Sequence, residues 1–368
     1  MDEDINKNER DETLSFSGKI AVVTDTITIN EDDFHSPEQL ITKYGSEKII
    51  HKTWPENFLA EQDKMINILE ELAKDTDIKI LIINQAVPGT NAAVDKLKKI
   101  RNDIFIVYCK TNEATIDAAT RANLVFSLNE LNMGQAMVKQ AKKQGAKSFV
   151  HYSFPRHMKK AILNSRLKKI QATCLAESIQ FIDATAPDPA GEAGISNAQA
   201  FLLDDVPKLV AKYGKDTAFF GTTCTFQAPL IKAVLENHAI YPQPCCPSPY
   251  HGFPEALGIK KEGSRPDLHC LIGDICRIVE EKNMTDRLSS WPVSASTMFT
   301  SAGAEYAIMR LNGTVLEAGI DSQALMDCMN KYVENAIGEQ SCVLMNSLVE
   351  DGITYDNIKL VLMGYLDF

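Results

Sequence analysis

Apolar positions in the first third of the chain fall in short continuous runs, and the stretches between them have helical spacing. KIAVVTD (19–25), KIIHKTW (48–54), KILIINQ (79–85), DIFIVYCK (103–110) and LVFSLNE (124–130) are strand-length. Such unbroken runs belong to strands buried on both faces, as in parallel sheets. Ser36-Pro37-Glu38 opens a short helix, with Ser36 as its cap and Pro37 in the first helical position. Residues 57–74 form an amphipathic helix whose inner face carries Met65, Ile68, Leu69 and Leu72. Helices are also predicted over 90–100 and, in shorter form, after Asn112. Five strands with helices between them specify a doubly wound parallel sheet.

From 131 onward the plan repeats. LNMGQAMVKQAKKQG (131–145) places Met133, Met137, Val138 and Ala141 on one helical face and stops at Gly145. AKSFVHYSF (146–154) is a strand, followed by a long basic helix (156–173), the strand SIQFIDAT (178–185), a helix within 196–213, the strand TAFFGTT (217–223) and the helix FQAPLIKAVLENH (226–238). The Pro- and Cys-rich segment 241–258 is expected to hold one irregular strand and a loop. Residues 268–282 are helical, WPVSAST (291–297) is a return strand or linker, and 301–311 is a helix stopped by Asn312-Gly313. A helix over 321–336 and apolar runs at 342–348 and 358–366 follow without an assigned place. The fold class is α/β: two doubly wound, Rossmann-like lobes joined by a multi-strand hinge, with a ligand held in the cleft between them. The expected division is an acidic disordered tail (1–16), a first lobe of 17–129 plus about 291–313, and a second of 130–290 plus about 314–368.

Length and composition fit this plan. The chain has 368 residues, 45% of them hydrophobic and 24% charged, which suits two lobes of about 120–170 residues rather than one core. The apolar runs are too short to span a bilayer. A net charge of −11 without a basic stripe argues against direct nucleic-acid binding, which rests on clustered Lys and Arg. Nine scattered cysteines are an odd number and do not form a disulfide framework. Cys109, Cys276 and Cys328 sit in apolar patterns and read as buried thiols of a reducing compartment. The acidic start MDEDINKNERDETLSFSG has no secretory segment, so the chain as written is expected to be cytoplasmic, or extracytoplasmic if a signal was removed.

The order of elements resembles the type I periplasmic-binding-protein fold shared by sugar receptors and the effector domains of LacI-type repressors. Three passages carry the likeness: the strand, Asn129, Gly134 and QGAKSFV; TAFFGTTCTFQAPLIKAVLENHAIYP (217–242); and STMFTSAGAEYAIMRLNG (296–313). It covers roughly residues 18–313 and extends to a bacterial family of this fold whose members are described as lipoproteins or proposed transcriptional regulators. The resemblance implies two lobes and a ligand, and the sequence departs from it in two ways. Sugar receptors place Asn-Asp where this chain has Thr223-Cys224, and a thiol does not replace a bidentate carboxylate for vicinal hydroxyls. The DNA-binding headpiece of the repressors has no counterpart before the first strand.

In a doubly wound sheet, ligands sit beyond the carboxyl ends of the strands. The candidate ligand-binding residues there are Asp25, Thr26, Gln85, Lys110, Asn112, Tyr152, Phe154, Arg156, His157, Asp183, Thr222, Thr223, Tyr250 and His251. The set is rich in hydroxyl, amide and aromatic groups, suiting a polar or amphiphilic metabolite. Strand-end loops are polar in any case, because they meet water. Lys110 and Arg156 can clamp an anionic group, against the plainer reading of surface ion pairs. Cys245, Cys246, His251, His269 and Cys270 fall close in sequence, but their spacing lacks paired C-x-x-C elements, so no metal site is expected.

No phosphate-cradling glycine loop, G-x-S-x-G or H-E-x-x-H occurs. The reading is therefore a small-molecule sensor or solute receptor closing on a polar metabolite, an anionic one included, without cofactor or catalysis. Two alternatives stand beside it. One is a regulatory effector domain acting through a partner protein or homodimer; the other is an enzyme whose cleft uses His157, Asp25 and His251 for acid–base work.

Overall fold

A computed structural model describes residues 14–192, 194–259, 267–316, 318–338 and 342–368. Most of the expected acidic tail, residues 1–13, lies outside them. The strands are β1 (Lys19–Thr24), β2 (Ile49–Thr53), β3 (Ile78–Asn84), β4 (Phe105–Cys109), β5 (Leu124–Leu128), β6 (Ser148–Ser153), β7 (Gln180–Thr185), β8 (Thr217–Gly221), β9 (Ser289–Ser290), β10 (Val343–Glu350), β11 (Ile353–Met363) and β12 (Leu366–Asp367). The chain divides into two compact units. One holds the described residues up to Phe126 with Phe299–Cys328 and Val349–Ile358; the other holds Ser127–Met298, Met329–Leu348 and Lys359–Phe368. The expected division placed 314–368 wholly in the second lobe, whereas 314–328 and 349–358 cluster with the first unit.

β1 to β5 pair in parallel in the order β2-β1-β3-β4-β5, with β11 and β10 continuing the sheet beyond β5. β3 is almost wholly buried because ILII meets helices on both faces. Helix Gln62–Lys74 turns Met65, Leu69 and Leu72 inward, and helix Thr90–Ile100 contributes Ala93, Val94 and Leu97. The register sets Thr24 opposite Thr53 and Asn84, and Asn84 opposite Cys109. Asp25, Gln85 and Lys110, each the next residue along, therefore emerge on one sheet edge.

The second unit has a smaller parallel sheet, β7-β6-β8. A parallel bridge from Ala218 to Ile240 continues it. Tyr152 lies opposite Ala184 and Gly221, so the ends of β6, β7 and β8 also share an edge. Helix Glu130–Lys143 buries Met133, Met137, Val138 and Ala141 as its spacing predicts, and Gly145 beyond its end takes φ 91°.

Several local expectations are corrected. Ser36 is buried and is not the cap: helix Glu38–Tyr44 has Pro37 at that position and no side-chain cap, while Asn30 caps the short helix Glu31–Phe34. The helix expected from 57 begins at Gln62, because Asn57 starts a turn. The basic helix is two pieces, Pro155–Met158 and Ala161–Ala176, broken where Lys160 adopts an extended backbone. The return strand at 291–297 is absent; only Ser289-Ser290 is strand, and helix Ala295–Leu311 starts early. That helix packs closely where small residues allow it. A Cβ on Gly303 would stand 3.1 Å from Val107 and 3.3 Å from Phe126. The two unplaced apolar runs fall in β10 and β11, which are joined at Asp351-Gly352, both with positive φ.

Gly221 closes β8 directly before Thr222, and a Cβ there would lie 2.8 Å from Leu230 and 3.0 Å from Phe226. Gly221→Ala must push helix Gln227–Glu236 off the strand. It is expected to destabilise the protein by about 1–3 kcal/mol, the cost of overpacking a filled core, measurable by denaturant unfolding.

Candidate functional site

In the first unit, three charged groups gather at the carboxyl ends of β1 and β4. Helix Glu31–Phe34 carries Asp33 fully buried. The Lys110 ammonium donates to its carboxylate in a short ion pair. Lys110 itself has φ 48°, and its N–H donates to the Phe126 carbonyl at 2.8 Å. Asp25 is only 5% exposed, and no hydrogen bond reaches its carboxyl group among the described residues. Burial first, and the Asp33 charge second, push its pKa up to about 6, against a smaller opposing pull from Lys110. Lys110 thus pairs with Asp33 and acts on Asp25 only as a more distant charge.

The neighbouring candidates are less committed to this cluster. The Thr26 hydroxyl donates to Glu56 Oε1 at 3.0 Å. The Gln85 carbonyl accepts from Trp54 Nε1 at 3.1 Å, and its side chain is half-buried after a cis peptide from Asn84. Asn112 is exposed, with its N–H donating to the Ala86 carbonyl at 2.9 Å.

In the second unit, β6 alternates as a strand must. Tyr152 and Phe154 therefore point into the hydrophobic core, at 0% and 2% exposure. The Tyr152 hydroxyl donates to Asp205 at 2.8 Å, so this tyrosine is a core residue and not part of the strand-end surface. Phe154 stacks on His157 with ring centroids 4.6 Å apart. His157 Nδ1 lies 3.0 Å from the Thr222 hydroxyl, which donates to Ser153 at 3.1 Å. Burial, then the nearby Lys160 and Arg156 charges, lower the His157 pKa to about 4. Its imidazole is held toward the neutral form. Asp183 is an exposed partner of buried His151, at 3.2 Å.

Arg156 is exposed and makes a bidentate pair with Asp188 at 2.7 and 2.8 Å, its guanidinium 5.2 Å from the Phe154 ring centroid. Both cations assigned to an anion clamp therefore already hold carboxylates. An anionic ligand would have to displace Asp33 from Lys110 or Asp188 from Arg156, so the local charge does not favour an anion.

The loop 241–252 contributes more than the sequence grouping indicated. Thr223 is half-buried and its carbonyl accepts from the Gln227 amide. Tyr250 is half-buried against the core of the unit. His251 Nε2 lies 3.8 Å from Cys245 Sγ, and Cys224 Sγ lies 3.7 Å from the same sulfur. Cys224 went unnoticed as a partner because it sits 21 positions away, at the end of β8. The available signal was its place at a carboxyl strand end. His269 and Cys270 sit on helix Leu268–Glu281 instead.

The two parallel-sheet units define a type I periplasmic-binding-protein-like fold. The chain belongs to the DUF3798 family of proteins of unknown function, whose model matches residues 18–289. It resembles two uncharacterized proteins of Treponema pallidum (strain Nichols). One is 33% identical over 165 residues, which is 45% of this chain and 76% of that protein; the other is 35% identical over 143 residues, 39% and 65% respectively. A crystal structure of a proposed transcriptional regulator from Clostridium difficile 630 superposes with TM-score 0.85 at 23% identity, covering 96% of this chain and all of that one. A sugar ABC transporter protein from Actinomyces odontolyticus ATCC 17982 matches with TM-score 0.54 at 10% identity, covering 82% of this chain and 86% of that one.

The raised pKa of Asp25 fixes the sign of a pH effect. Its folded value, about 6, lies above the ordinary 3.8. The contribution of its bound proton is fully present below that ordinary value and is lost as pH rises through 6. Asp25→Asn is expected to be more stable than wild type by up to about 3 kcal/mol above neutrality, the scale of such a shift. The gain should vanish near pH 4 when urea midpoints are compared.

Proposed function

We propose that this chain is a non-catalytic binding protein for a small polar metabolite, acting as a solute receptor or sensor. The observation that carries the reading is Asp25, a buried carboxyl at a carboxyl strand end with no hydrogen-bond donor of its own. A carboxylate held largely out of water with no hydrogen-bond donor loses part of its solvation, and a ligand hydroxyl or amine supplies a donor. Its position agrees with the rule for parallel sheets, and a solved protein of similar fold is named as a sugar transporter component. With two carboxyls against one lysine, the donor group belongs to a neutral or cationic ligand rather than an anion. Thr223-Cys224, in place of a hydroxyl-binding Asn-Asp pair, favours something other than a plain sugar.

Thermal unfolding against polyols, amines, amino acids, nucleosides and organic acids tests this. A neutral or cationic ligand present at about 100 times its Kd adds roughly 2.7 kcal/mol of stability, a rise of several degrees. Asp25→Ala should abolish that rise, and acidification below the Asp25 pKa should diminish it. A shift produced by organic acids and retained in Asp25→Ala would contradict the reading.

A further inference from the structure

The second unit brings three thiols and an imidazole together around one sulfur. Cys245 Sγ stands 3.7 Å from Cys224 Sγ, 4.0 Å from Cys246 Sγ and 3.8 Å from His251 Nε2. The ligand atoms of Cys224, Cys245 and His251 all lie within 4.8 Å of one another. None of these cysteines is in a disulfide. Zinc–sulfur bonds of about 2.3 Å in a tetrahedron imply sulfur–sulfur edges of about 3.8 Å, and a histidine nitrogen at about 2.0 Å gives a slightly shorter edge. The separations to Cys245 are already close to those edges.

The arrangement is held from behind. Gln227 is fully buried, and its Oε1 accepts from the Cys245 backbone N–H at 3.2 Å and from the Tyr241 hydroxyl at 2.5 Å. Its amide donates to the Gly221 carbonyl at 3.1 Å and to the Thr223 carbonyl. One side chain thus ties the loop bearing Cys245 to the strand end bearing Cys224. Gly252, next to His251, has φ 84°, and a Cβ there would stand 2.8 Å from Gln227 Cβ. The close approach that brings His251 in requires glycine at that position. Such support behind the ligands is what orients a metal site.

We propose that Cys224, Cys245 and His251 bind a thiophilic divalent ion of the zinc class through their two sulfurs and the imidazole nitrogen. Binding displaces a proton from each thiol the ion takes, and those protons pass to the solvent. Cys224 and Cys246 are exposed, which leaves the ion a way in. The site is independent of the Asp25 reading.

Cobalt(II) titration of the full reduced chain is the test. One equivalent should produce a thiolate-to-cobalt charge-transfer band and intense visible bands of tetrahedral coordination, both displaced by zinc, with proton release on addition. Cys224→Ser, at an exposed position and with its fold checked by circular dichroism, should lower cobalt affinity at least tenfold, as should Cys245→Ser. Cys270→Ser and Asp25→Asn should leave uptake unchanged. Failure to develop the charge-transfer band would overturn the proposal. So would a band that persists in both Cys224→Ser and Cys245→Ser, or one that disappears in Cys270→Ser.

Discussion

Parallel strand pairing is the constraint on which everything else depends. Because each strand of such a sheet runs the same way, its register decides which residues arrive together at the carboxyl edge. In the first unit the alignment of Thr24, Asn84 and Cys109 delivers Asp25, Gln85 and Lys110. In the second, Tyr152 opposite Gly221 delivers Ser153 beside Thr222. A slip of one residue in either sheet would exchange the two buried faces of the strand and move the edge residues off their neighbours.

The two edges differ in character. The first gathers charge: Asp33 pairs with Lys110, and burial beside that pair pushes the Asp25 pKa up to about 6. The second gathers soft and neutral groups. Arg156 is saturated by Asp188, His157 is kept neutral, and the thiols of Cys224 and Cys245 approach an imidazole. Buried polar groups of both kinds lower stability unless something pairs with them.

The fold was legible because apolar runs such as ILII and IVYC can be buried only as parallel strands, and helix spacing at Met133–Ala141 fixes a face. The edge residues were legible for the same reason. Three things were not. Tyr152 and Phe154 looked like edge residues because they stand at the end of β6, but both faces of that strand are packed, Val150, Tyr152 and Phe154 in one core and Phe149 in another. The ion pairs of Lys110 and Arg156 come from Asp33 and Asp188, residues distant in sequence and unremarkable in local pattern. The cysteine cluster joins a strand end to a proline-rich loop through Gln227, a tertiary connection that spacing does not encode. The hairpin of β10 and β11 escaped placement because polar residues interrupt ITYDNIK.

Titration of the Asp25 carboxyl by carbon-13 NMR, alone and with a stabilising ligand, tests the central claim most directly. The account predicts a midpoint near 6 in the free protein and a fall on ligand binding, as the new donor favours the carboxylate. A carboxyl that titrates near its ordinary value and does not respond to ligand would contradict it.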